Sequence, residues 1–104
     1  MPKVQLKNKG NTTVYRDLHN INVVLYNTTV VRYDPVKDKL TLNSGGWLTV
    51  TTKQRMNQFM DEYNLPLNVY QEDFEWYVYN RESGETVTFT DNMEINLDRR
   101  GGSQ

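Results

Sequence analysis

The chain has 104 residues, 37% of them apolar, which suffices for one small hydrophobic core. Thirteen acidic against twelve basic side chains leave a formal charge of -1, so no overall field draws the protein onto nucleic acid or an anionic membrane. The absence of cysteine excludes disulfides, thiolate metal sites and cysteine nucleophiles, and the longest apolar run, Val23-Val24-Leu25-Tyr26, is far short of the ~20 residues of a membrane helix.

Composition also narrows the fold class. There is no alanine, the best helix former, while eleven threonines and seven tyrosines suit pleated strands and twelve asparagines suit turns and caps. A fold built mainly of strands is expected.

The opening residues 1–11 are polar, with Lys3, Lys7 and Lys9 spaced along them, and read as a flexible arm or a poorly specified edge strand. They contain no apolar stretch of the kind a secretory signal needs. Residues 12–18 and 21–26 are β-branched and aromatic and are separated by His19-Asn20, so both are predicted strands. Residues 29–33 and 39–43 flank Asp34-Pro35-Val36-Lys37-Asp38, a connection with proline placed to open a turn. Leu40 and Leu42 then share one face, as in a hairpin strand. Tyr26-Asn27-Thr28 is either another turn or a bulge in a longer strand.

One segment has helical period. Met56, Phe59, Met60 and Tyr63 fall at i, i+3, i+4 and i+7, which predicts a helix over residues 52–63. Thr51 with Gln54 fits a capping box at its start, and Asn64 before Leu65-Pro66 ends it. Residues 74–80 and 85–90 then flank Arg81-Glu82-Ser83-Gly84 as a hairpin. That register sets Val78 opposite Val87 and Trp76 opposite Phe89, with Tyr77 and Tyr79 on the reverse face against Thr88 and Thr86. Residues 93–97 add an edge strand, and 98–104 read as a disordered tail. The expected fold is α+β: residues 12–97 as one domain, a small, twisted, mainly antiparallel sheet with the helix packed on one face. The core is expected to join the helical stripe to Leu40, Leu42, Trp76, Val78, Val87 and Phe89.

Enzymatic chemistry finds no support in the residues. His19 is the only histidine, and Ser44, Ser83 and Ser103 lie in no G-x-S-x-G elbow. Gly45-Gly46 belongs to no phosphate-binding G-x-x-x-x-G-K-[ST] loop, and the carboxylates lack calcium-loop spacing. No catalytic residue, metal or cofactor is expected.

The segment 45–57 stands out. Gly45 and Gly46 allow close backbone approach, the chain then enters a helix whose first amides lack partners, and Thr49, Thr51, Thr52, Lys53, Arg55 and Asn57 supply donors and charge. Lys53 and Asn57 lie on one flank of the apolar stripe and Arg55 on the other. Trp47 either stacks on a base or packs as core, and a mostly core position is expected. The combination suits a phosphate, hence a nucleic-acid backbone. A protein-interaction factor, using exposed aromatic surface such as Tyr77 and Tyr79, is the alternative. Unpaired strand edges and that aromatic face also favour a homodimer or a partner-covered sheet.

The order His19-Asn20, then Leu42-Asn43-Ser44-Gly45-Gly46-Trp47, then Thr49-x-Thr51-Thr52-Lys53-x-Arg55-Met56-Asn57, resembles a family of small tailed-bacteriophage proteins. Val69-Tyr70-Gln71, Glu75-Trp76-Tyr77-Val78 and Gly84 fit the same pattern. Its members tend to carry a polar or basic residue after the tryptophan, where this chain has Leu48. The resemblance implies a phage origin and work in the cytoplasm of the infected bacterium, where the partner of a protein-interaction factor would be a host enzyme or a phage complex. It implies no mechanism.

Overall fold

In the computed structural model, residues 12–97 are described; the expected arm and tail at residues 1–11 and 98–104 lie outside them. The strands, all paired antiparallel, divide into two sheets. The first contains β1 (Thr12–Arg16), β2 (Ile21–Leu25), β3 (Thr28–Asp34), β4 (Lys39–Leu42) and β8 (Met93–Asn96), in the order β1-β2-β3-β4-β8. The second contains β5 (Leu67–Glu72), β6 (Glu75–Asn80) and β7 (Thr86–Thr88), in the order β5-β6-β7. The helix, α1 (Val50–Glu62), packs on β5 and on β2 and β3, so one element bridges both sheets.

Alternation along the first sheet produces its two faces. Val14, Val23, Val31, Leu42 and Met93 form one cross-strand row facing the core, while Tyr15, Asn22, Arg32, Thr41 and Glu94 form the neighbouring row on the opposite face. Residues 93–96 thus pair with β4, as the predicted edge strand. Tyr26 and Asn27 form a two-residue turn with Tyr26 at φ 57, and the irregularity is a register shift between Val23 and Val24. Turn and bulge are both present, at different places.

The core contains Met56, Phe59, Met60, Leu40, Leu42, Trp76, Val78 and Phe89, all buried as expected. Tyr63 packs at its margin, stacked on Phe59 with ring centroids 4.5 Å apart. Val87 is the exception. It lies opposite Val78 in the predicted register but is 46% exposed, because β7 is the edge strand farthest from the strand the helix covers.

The helix begins earlier than its apolar stripe suggests. Thr49, extended at φ -117 and ψ 164, is the N-cap, and its Oγ1 accepts from the Thr52 amide at 3.3 Å. Thr52 is fully buried one turn before Met56, so burying that position requires a helical turn ahead of it; the Thr51–Gln54 box is displaced. The C-terminus closes as a Schellman motif. Asn64 takes φ 56, its amide donates to the Asp61 carbonyl, and the Leu65 amide donates to the Met60 carbonyl at 2.8 Å.

Strand β5 was not legible as a strand. It reads Leu-Asn-Val-Tyr-Gln-Glu after Pro66, with Leu67 and Val69 turned inward and Asn68 outward. A proline and two amides within seven residues obscure a short period-2 signal.

Candidate functional site

Leu42 ends β4, and the chain turns through Asn43-Ser44-Gly45-Gly46 before climbing into the helix. Buried Ser44 anchors this turn: its amide and its hydroxyl both donate to one Asp91 carboxylate oxygen, at 2.8 and 2.7 Å, and its Oγ accepts from the Gly46 amide. Gly45 adopts φ +61 with the Thr28 side chain so close that an added Cβ would lie 2.6 Å from Cγ2. Gly46 adopts φ +87 in open space. The two glycines are therefore turn residues, one of them locked under β3. Asp91 is 47 positions from Ser44, and no local pattern in the sequence announces that contact.

The turn delivers Trp47 to the surface. Trp47 is 57% exposed, so the expectation of a core tryptophan is overturned: the Gly45-Gly46 turn and the Trp47 amide bond to the Ser44 carbonyl hold the indole outside the sheets. Leu48 and Val50 are exposed beside it, and Tyr26 is exposed at the β2–β3 turn. Leu25 and Tyr26 face Trp47, Thr49 and Thr51 across a groove of about 500 Å³. The β5–β6 turn comes to this end of the helix as well, because Lys53, in the first turns, donates to Gln71 at 3.1 Å. That turn carries Phe74, 95% exposed at φ 68.

The polar residues predicted to gather around a phosphate are dispersed. Lys53 faces the second sheet, with its ammonium 5.6 Å from the Trp76 ring centroid. Arg55 faces the first sheet, donating from Nε to Thr12 at 2.9 Å and from Nη1 to Gln58 at 3.1 Å. Asn57 is spent on backbone: its Nδ2 donates to the Val69 carbonyl and its Oδ1 accepts from the Val69 amide, both at 2.8 Å. Thr52 is buried and shares a hydrogen bond with Thr49. Thr51 alone of the threonines lines the groove without a cap contact. The helix start retains one anion-favouring property, the lack of any acidic residue in its first turn.

Tyr77 and Tyr79 are half-buried on the outer face of the second sheet, where Tyr77 packs against its register partner Tyr70 at 5.5 Å. They form a smaller exposed aromatic surface than the Trp47 end, whose members Tyr26, Leu48 and Val50 sequence reasoning missed. The signal available was the apolar run Trp47-Leu48-x-Val50 immediately before the helix.

Among the described residues, no group of three or more His, Cys, Asp or Glu side chains is placed to hold a metal ion. No helix among them is long and apolar enough to cross a membrane.

The chain is thus a two-sheet α+β protein with a presented surface turn and with its charged groups distributed over the fold. The family model described as Kyanoviridae Gp96 protein matches residues 3–96, and the chain belongs to this family of tailed-phage proteins. No curated protein and no solved structure matches it.

Proposed function

We propose that the protein is a non-enzymatic phage accessory factor, working in the cytoplasm of the infected bacterium, that binds another protein through the end bearing Tyr26, Trp47, Leu48 and Val50. The observation that carries this reading is that exposed Tyr26 and Trp47 line one groove next to a turn anchored by Ser44 on Asp91, with Leu48 and Val50 also exposed in the segment that follows Trp47. Contiguous exposed apolar surface with a polar rim is what protein interfaces use, and tryptophan and tyrosine supply much of their affinity.

The chemistry of the partner follows from the same end. The groove between Tyr26 and Trp47 accepts an apolar side chain, and the helix start beside it has no acidic residue to offset its dipole. A partner segment presenting an apolar side chain next to a carboxylate satisfies both. This surface replaces Tyr77 and Tyr79 as the leading contact region of the protein-interaction reading. Nucleic acid or another phosphate-bearing ligand at 45–57 is the second reading; the same uncompensated helix start favours it, while the commitment of Asn57 and Thr52 to the fold counts against it.

The test is affinity capture from infected cells with wild-type protein and with the Trp47→Ser, Leu48→Ser double variant, each with and without nuclease. A stoichiometric protein partner lost in the variant and retained after nuclease supports the proposal. Capture that survives the substitutions, or that nuclease abolishes, overturns it.

A further inference from the structure

We infer that the outer face of the first sheet carries a second site, a groove centred on Arg32 that binds a phosphate-bearing ligand: a nucleotide, free or as a unit of a single strand. The inference is independent of the proposed protein contact and rests on a different face of the molecule.

Arg32 sits in the middle of the outward row, between Asn22 on β2 and Thr41 on β4. Asn22 is fully buried although its row faces outward, and its Oδ1 accepts from Arg32 Nε at 3.1 Å. Its other amide atom is fixed in turn, because Nδ2 donates to Asp17 Oδ2 at 3.1 Å. A carboxylate only accepts, so Asp17 sets which way the Asn22 amide points, and the amide oxygen is left for arginine. Asp17 is itself held by the amides of His19 and Asn20. The chain Asp17–Asn22–Arg32 grips the guanidinium through a neutral group at Nε and leaves the Nη edge for a ligand.

Arg32 forms no ion pair among the described residues. Glu94, which lines the same groove, is paired with Lys39 at 3.3 Å. The other groove carboxylate, Asp34, accepts from the amides of Val36 and Lys37 through Oδ1. Two cavities of about 360 and 820 Å³ meet over Arg32, Thr41 and Asn92. Lys37 lines one end and Asn43 the other. A forked cation suits phosphate oxygens bidentately, and the surrounding amides and hydroxyls offer donors and acceptors for a sugar and a base edge. The combined space fits a ligand of nucleotide size.

Titration of the isotope-labelled protein with inorganic phosphate, adenosine monophosphate and a short single-stranded oligonucleotide, followed by amide shifts and calorimetry, tests this. Saturable shifts at Arg32, Thr41 and Asn92 are expected, with adenosine monophosphate tighter than phosphate. Arg32→Gln should weaken binding about tenfold to a hundredfold, the range for a charge-assisted hydrogen bond. Arg32→Lys should restore only part, since it keeps charge without the fork. Asn92→Asp, at a left-handed position that aspartate tolerates, should weaken binding by adding a like charge to the ligand. A stronger response to the oligonucleotide assigns the ligand to a strand, and an equal or weaker one to the free nucleotide. No saturable shift with any probe, binding unchanged by Arg32→Gln, shifts confined to the helix start, or phosphate bound as tightly as adenosine monophosphate overturns the assignment. Arg32→Gln should leave protein capture through Trp47 unchanged, which separates the two surfaces.

Discussion

Asn57 stands in for a missing β-strand beside Val69: one side-chain amide closes two hydrogen bonds, each of 2.8 Å, onto the amide and carbonyl of the same residue. Val69 is paired with Val78 on its other side, and among the described residues β5 has no further strand neighbour. The helix therefore supplies the edge of the second sheet with the partner that sheet geometry denies it, and docks there at the same time. Asn57→Ala should cost about 1–3 kcal/mol for each partly buried backbone group it orphans. Urea denaturation checks this, and a loss below ~0.5 kcal/mol would show that the pair is not structural.

The Gly45-Gly46 turn makes a differential prediction. Gly45→Ala combines a strained left-handed backbone with a Cβ 2.6 Å from Thr28, and should cost about 2–4 kcal/mol. Gly46→Ala meets nothing within 4 Å and should cost only the backbone strain, about 1–2 kcal/mol. Thermal or chemical denaturation of the two variants decides the order.

Trp47→Ala separates surface from core. Exposed at 57%, Trp47 should change stability by less than ~1 kcal/mol, in contrast to the ~3–5 kcal/mol of a core tryptophan. Partner capture should fall at least tenfold, as for a central aromatic contact worth ~1.4 kcal/mol or more. A variant that unfolds would return Trp47 to the core.

Lys53→Ala and Arg55→Ala address the phosphate alternative. If the helix start contacts duplex phosphates, each loss flattens the log-affinity against log-salt slope by ~0.9. The engagement of Lys53 with Gln71 and of Arg55 with Thr12 predicts no such change. Filter-binding or anisotropy titrations across a salt series make the measurement.

Acid sensitivity should pass through Asp17. The Asn20 amide, followed by the Asn22 side chain, holds this carboxyl below its ordinary value. A lowered folded-state pKa contributes stability above the unfolded value and loses it as pH falls through the folded one. The stability gap between wild type and Asp17→Asn should therefore be full at neutral pH and narrow from about pH 5 downward. Urea midpoints over that range would refute this if the gap stayed constant.

What the sequence determined by itself was local. The helical stripe Met56-Phe59-Met60-Tyr63, its stop at Asn64-Leu65-Pro66, and the hairpin register of Val78 against Val87 all depend on neighbours within a few turns or one short loop, and each is in place. The flanks of the helix were legible too, with Lys53 and Asn57 toward one sheet and Arg55 toward the other. Periodicity states which residues share a face. It does not state what lies opposite.

Tertiary structure decided the rest. The anchoring of the glycine turn by Asp91 and the use of Asn57 on Val69 join residues whose partners no local pattern specifies. The fate of Trp47 turned on such a contact: a tryptophan after two glycines is core or surface according to where the turn is tied, and Ser44 on Asp91 ties it outside. The physical reason is that burial is a property of the assembled sheets, while capping, turn formation and amphipathic period are properties of the chain within one element's length.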